Sequence, residues 1–162
     1  MPVDPNATEP AAAAATPAPG APEPTPGYRL EEQVGHLMRR AHQRHTAIFQ
    51  DGLGDCELTP TQFAALVKIK DLGKVTQNLL GRHTAMDPAT IQGVVQRLQA
   101  RGLIQRKPDA ADRRVTLLSL TPSGRELAAR AVARAREVTR ATLEPLTISE
   151  RAQLVELLRK LS

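Results

Sequence analysis

The sequence predicts a mainly α-helical fold with one small β-hairpin, and three observations predict it. Apolar residues recur at three- and four-residue spacing through most of the chain from Tyr28 onward. Aromatic residues make up only 2% and tryptophan is absent, so the core must be Leu, Val, Ile and Ala, which suits helix packing better than a β-sandwich. One stretch, residues 103–120, breaks the helical period: two β-prone runs flank a polar, charged tip, PDAADRR.

The 162 residues suffice for one domain with a core and an appendage. The appendage is residues 1–27, an Ala/Pro-rich arm that holds eight of the 13 prolines and offers little to bury, so it reads as disordered or polyproline-like. Residues 28–162 form the folded part. The first long helix is expected over 28–50, with Leu30, Val34, Leu37, Ala41 and Ile48 at near-heptad spacing and Met38, His45 and Phe49 beside them. Gly52 and Gly54 are expected to break it. Thr59-Pro60-Thr61-Gln62 is a capping box, opening a second helix to about Leu72 with Phe63, Leu66, Val67 and Ile69 as its apolar face.

Thr76 caps a short third helix from Gln77 to about Thr84, with Leu79 and Leu80 inward. After a turn at Ala85 and Met86 comes the segment DPATIQGVVQRLQAR. Asp87 is its N-cap, Pro88 occupies the first helical position, and Ile91, Val94, Val95 and Leu98 form a buried stripe. Gly102 ends this helix. Strands 103–107 and 115–120 then flank the tip at 108–114. Thr121-Pro122 opens a long helix to about Leu143, with Leu127, Ala131, Val132, Val138 and Leu143 apolar. A last capping box, Thr147 to Glu150, starts a helix expected to bury Leu154, Val155, Leu157, Leu158 and Leu161.

Short helix, tight turn, second helix and charged hairpin make a winged helix-turn-helix over residues 58–121. The segments 28–50 and 122–162 exceed what so small a unit needs to cover its core. They are expected to pair two copies of the chain in a two-fold homodimer.

Charge agrees with a polyanionic partner. Net charge is +5 with a pI near 10.0, and setting aside the acidic Asp4, Glu9 and Glu23 of the arm leaves +8 on the rest. Thr90, Gln92, Gly93, Gln96 and Arg97 lie off the buried stripe of the helix that starts at Pro88. Thr, Gln and Arg are side chains that reach base edges or phosphates in a groove of double-stranded DNA. Arg106 and Lys107 on the hairpin suit phosphate, as do Thr76 and Gln77 at the start of the third helix. Arg113 and Arg114 at the tip can enter a minor groove.

A second cationic group lies on the first helix. His36, His42 and His45 are three of four histidines, and Arg39, Arg40 and Arg44 interleave with them. A cation beside an apolar wall that includes Phe49 is what an aromatic carboxylate needs. A dimer-interface or solvated face is the competing reading of these residues. No carboxylate or cysteine accompanies the histidines at metal-ligand spacing, and no cofactor or metal is expected.

Cys56 is the single cysteine, which excludes an intramolecular disulfide. A redox-responsive regulator acting through it is an alternative, weakened by Asp55 and Glu57, whose charges raise a thiol pKa. A protein-binding winged-helix module is another. An enzyme is not expected, since no nucleophile triad, Gly-rich phosphate loop or paired-carboxylate signature is found. No apolar run approaches membrane-span length and no signal peptide opens the chain, so a cytoplasmic protein is expected.

Three groups of residues carry a family resemblance: Leu58-Thr59-Pro60-Thr61-Gln62-Phe63; Arg97-Leu98 with Gly102-Leu103-Ile104; and above all Asp109-Ala110-Ala111-Asp112-Arg113-Arg114 followed by Leu120-Thr121-Pro122-Ser123-Gly124. With them the chain resembles the MarR family of bacterial transcriptional regulators over residues 28–162. The resemblance implies a dimeric repressor on a palindromic operator, released by a small molecule, often an aromatic acid, bound between the dimer helices and the winged unit. It also implies that Arg114 is the inserting arginine, held by Asp112. Gly93 departs from many relatives, which carry arginine there. The first helix, from Glu31 through Phe49, is similar to members that control catabolism of aromatic and pyridine acids, notably nicotinate-degradation repressors. The implied effector is a small aromatic or pyridine carboxylate, with nicotinate derivatives such as 6-hydroxynicotinate among the candidates.

Overall fold

The structure, a computed structural model, describes residues 27–161. The Ala/Pro-rich arm lies, but for Gly27, outside them. Six α-helices and one antiparallel hairpin follow in the order α1 (Val34–Leu53), α2 (Pro60–Leu72), α3 (Gln77–His83), α4 (Pro88–Ala100), β1 (Ile104–Pro108), β2 (Thr116–Leu120), α5 (Pro122–Thr142) and α6 (Ile148–Leu161).

Local chemistry starts each helix of the winged unit. Thr59 Oγ1 accepts from the Gln62 amide at 3.2 Å while Gln62 Oε1 accepts from the Thr59 amide at 3.2 Å, a closed capping box. Thr76 Oγ1 accepts from the Leu79 amide. Asp87 accepts from the amides of Ala89 and Thr90 at 3.0 and 2.9 Å. The end of α4 is equally well defined. Gly102, at φ +68°, donates to Gln99 O, and Leu103 donates to Leu98 O, the paired bonds of a Schellman cap.

The hairpin pairs Ile104 with Leu120 and Pro108 with Thr116. Its first strand starts and ends one residue later than expected, because the Leu103 amide is spent closing α4. Val75 exchanges two backbone bonds with Leu118, tying the entry of α3 to the hairpin. Leu66, Ile69, Leu80, Val95 and Leu98 are fully buried where α2, α3 and α4 meet, with Leu118 beside them.

α5 carries this unit onto α1. Thr121 caps α5, accepting from the Gly124 amide and donating to Gly102 O at 2.7 Å. Gly124 permits that junction, since a Cβ there would stand 1.9 Å from Leu103 O. α1 and α5 run antiparallel, with His45 beside Thr142 and Gly52 against Val138.

Four sequence expectations need correction. The first helix does not span 28–50: a 3-10 turn at Leu30–Glu32 precedes it, Gln33 is extended, and α1 continues to Leu53. Gly52 does not break it, because a Cβ there would lie 2.6 Å from Val138 Cγ2; the residue is glycine for close helix approach. Leu79 is 43% exposed, since one residue's rotation carries it off the face that buries Leu80. Finally, α6 fully buries none of its leucines, because no other element among the described residues packs closely over that stripe. No helix among the described residues is long and apolar enough to cross a membrane.

Candidate nucleic-acid interface and cationic helix

The stripe Ile91, Val94, Val95 and Leu98 holds α4 to the core and turns its other face outward. Thr90, Gln92, Gln96 and Arg97 are exposed on that face and Gly93 is half-exposed. Thr90 is oriented: its hydroxyl donates to Asp87 Oδ2 at 2.5 Å. That bond and the Thr90 amide hold the Asp87 carboxyl below its ordinary pKa. Pro88 sits exposed at the first turn.

The hairpin tip is folded around two carboxylates. Asp109 Oδ1 accepts from the Ala111 amide, and the Asp109 amide donates to Val115 O at 2.8 Å. Asp112 Oδ1 accepts from the Arg114 amide at 3.0 Å and from Arg114 Nε at 3.1 Å, while Oδ2 accepts from Nη2 at 2.9 Å. This two-pronged pairing lowers the Asp112 pKa and raises that of Arg114. The Arg114 side chain nonetheless remains 90% exposed, aimed and not buried. Arg113 beside it is exposed and has no ion pair among the described residues. Arg106 Nη2 donates to Gln77 Oε1 at 2.9 Å, joining β1 to the first residue of α3, and Lys107 is exposed on the same strand. Thr76 and Gln77 are half-buried at that junction.

The cationic residues of α1 do not form one cluster. Arg39 lies 3.2 Å from His36 Nδ1, one turn apart on the open half of the helix. Arg40 and His42 are exposed. His45 is half-buried, with Nδ1 2.9 Å from Thr142 Oγ1, and its ring lies 6.4 Å from that of Phe49. Phe49 is a core residue, 3% exposed and edge-on to Phe63. Among the described residues no three His, Cys, Asp or Glu converge as a metal site. Cys56 is 3% exposed, under the turn after α1.

Long-range arginine contacts escape sequence reasoning. Arg44 caps the C-terminus of α5, donating to Thr142 O at 2.6 Å and Ala141 O at 3.2 Å. Arg101, the C-cap residue of α4, donates to Glu57 O at 2.6 Å and Cys56 O at 3.2 Å. Arg134 of α5 pairs with Asp55 at 2.5 Å. These partners lie 44 to 98 residues away, and the sequence carries no signal for them beyond a cation near a helix end.

A family model described as MarR family matches residues 57–115. The chain is 45% identical over 134 residues to the HTH-type transcriptional repressor NicR of Pseudomonas putida, an alignment covering 83% of this chain and 85% of that one. A crystal structure of a probable transcriptional regulator from Pseudomonas aeruginosa is similar at TM-score 0.80 and 50% identity, covering 83% of this chain and 100% of that chain. BpsR of Bordetella bronchiseptica, whose structure is described as explaining regulation of its DNA binding by 6-hydroxynicotinic acid, is similar at TM-score 0.79 and 46% identity, covering 83% and 96%.

Proposed function

Since this chain belongs to the MarR family of transcriptional regulators, we propose that it is a dimeric repressor that binds a palindromic operator and is released by a small pyridine or aromatic carboxylate. The observation that carries this reading is the Asp112–Arg114 fork, which presents an oriented but solvent-exposed guanidinium on a narrow hairpin beside the polar face of α4.

On this reading α4 lies in a major groove. Gln92 and Gln96 can each make a two-point contact with adenine, Thr90 can meet a thymine methyl or a base edge, and Arg97 clamps phosphate. Arg106, Lys107, Thr76 and Gln77 flank that helix and fix its register on the backbone. Arg114 then enters the adjacent minor groove, where pre-pairing with Asp112 has already restricted its rotamers. Two copies are needed for two half-sites. The uncovered apolar residues of α1 and α6, with Val34 at 66% and Leu161 at 71% exposure, support joining them through the chain ends. Such a regulator acts where chromosomal DNA is, in the cytoplasm, and no catalytic step is assigned to it.

The effector reading rests on α1. Arg39 and Arg40 offer charge on the exposed side of α1, with His36 and His42 on the same stretch and Leu37 and Met38 as exposed apolar surface. His45 is half-buried where α1 meets α5, and Phe49 beside it is closed into the core. A carboxylate on a flat pyridine ring matches that pairing of charge and apolar surface. The regulation of BpsR by 6-hydroxynicotinic acid makes that acid the first compound to try.

The deciding experiment is a gel shift with Arg113→Ala and Arg114→Ala combined. Operator affinity should fall by at least about a hundredfold with the dimer intact; undiminished affinity removes the hairpin from the interface. A thermal-shift screen of pyridine and benzene carboxylates tests the second half. A true effector raises the melting temperature with concentration, and replacing Arg39 blunts its release of DNA more than it weakens DNA binding.

A further inference from the structure

The C-terminus of α4 is held by a contact that the reading above does not use. Arg101 extends its guanidinium to the turn Gly54–Cys56 and the residue after it. Nη1 donates to Glu57 O at 2.6 Å, Nη2 donates to Cys56 O at 3.2 Å, and Nη2 lies 3.8 Å from Glu57 Oε2. One planar group thus spans two successive carbonyls, a geometry that a lysine ammonium cannot copy.

The far side of that turn is equally constrained. It continues directly from Leu53, the last residue of α1 and 1% exposed. Its Asp55 is paired with Arg134 of α5 at 2.5 Å. Glu57 sits at φ +50° and ψ +40°, a left-handed conformation that a residue with a side chain holds only when its surroundings impose it. Two residues later Thr59 caps α2. The turn is therefore a short link with α1 and α5 on one side and α4 on the other, and Arg101 carries the hydrogen bonds that join it to α4.

We propose that Arg101 is a positioning residue that transmits the attitude of α1 and α5 to α4, so that a ligand or partner acting on the end helices resets the helix in the groove. This rests on the reading of α4 as the groove-entering helix. The contact suits the task because it is charge-assisted and directional, and so is either made or broken.

The test compares wild-type full-length protein with Arg101→Ala and Arg101→Lys, each first checked for dimer mass and helix content. Two DNA probes are used, an operator duplex selected from random sequences and a scrambled duplex. In both variants the preference for operator over scrambled DNA should drop by about tenfold, with the salt dependence of binding unchanged. With 6-hydroxynicotinate as the probe ligand, affinity for the DNA-free variants should stay within about twofold of wild type. The mutual weakening of ligand and operator should shrink from the roughly 5–150-fold usual for such linkage to about threefold or less.

Wild-type preference and wild-type linkage in Arg101→Ala would overturn the proposal. So would a uniform loss on both duplexes with a salt slope smaller by about one, which would make Arg101 a phosphate ligand. Wild-type behaviour of Arg101→Lys would overturn it too, since charge alone would then suffice. If the wild-type protein ignores 6-hydroxynicotinate, the effector reading fails, and the two-duplex comparison still decides the role of Arg101.

Discussion

The winged unit and the chain ends are built from the same aliphatic residues and end in opposite states. Between α2 and β2 the apolar side chains close on one another: Leu66, Ile69, Leu80, Val95 and Leu98 are fully buried. At the ends they do not. Val34, Leu37 and Met38 on α1 and Leu157, Leu158 and Leu161 on α6 are 46–71% exposed. The first region satisfies its own hydrophobic demand and can act as a rigid reading head. The second leaves its apolar side chains uncovered among the described residues, and on the proposed reading its energetics belong to a pair of chains.

The contrast breaks most visibly at α6. Leu158→Glu with Leu161→Glu places four carboxylates in a two-fold interface and removes four leucines from it. At about 1.5–3 kcal/mol per buried leucine, association should weaken by at least about a thousandfold. Sedimentation at graded concentration reads this. A monomer that keeps its helix content supports the division of labour, and an undisturbed dimer refutes it. Leu66→Ala makes the opposite kind of loss. It should cost about 2–5 kcal/mol in urea unfolding, with a midpoint shift that does not depend on protein concentration beyond the wild-type trend.

The same contrast governs how much could be read from the sequence. The starts of α2, α4 and α6 were legible because their cause lies within three residues: Thr59 with Gln62, Asp87 with Thr90, Thr147 with Glu150. The start of α1, which has no side-chain cap, was not. The stripe of α4 was legible because its period is local. Gly52 was not, because its need for a missing Cβ comes from Val138, on another helix. The leucines of α6 were expected to be buried from their spacing alone, and they are not, because spacing marks an apolar stripe without saying what covers it. In the candidate interface, the pairing of Asp112 with Arg114 followed from the family resemblance. The histidines and arginines of α1 share a helix, yet they divide between its open half and its contact with α5, a division set by where α5 ends.

Gly93 sharpens the comparison at smaller scale. It stands mid-helix on the outward face of α4, where an added Cβ would meet only Arg97 Nη1 at 3.6 Å. Nothing among the described residues requires glycine there. Gly93→Ala should therefore stabilise the protein by about 1 kcal/mol through helix propensity. If α4 approaches DNA as closely as proposed, the same methyl should weaken operator binding. A stabilised protein with undiminished affinity would show that the groove leaves space at this point.

Acid makes the smallest difference and separates the two regions once more. Asp87, capping α4, is held below its ordinary pKa by the Thr90 hydroxyl and amide. Glu150, at the start of α6, is held down by the amide and hydroxyl of Thr147. In both cases the unfolded chain binds protons more readily than the folded one. Each contribution is thus complete above the ordinary carboxyl range, near about 4, and is lost as pH falls through the lowered folded value. Both carboxylates are exposed, so the losses are modest, but they should surface in different measurements. Losing the Asp87 cap loosens a closed core and should register in urea unfolding. Losing the Glu150 cap frays a helix whose leucines are uncovered among the described residues, and if α6 pairs two chains as proposed it should register first in dimer dissociation. Asp87→Asn keeps the capping oxygen and removes the titration. It should flatten the acid limb of unfolding while leaving the acid dependence of association in place, and a variant that flattened both would mean the two regions melt as one.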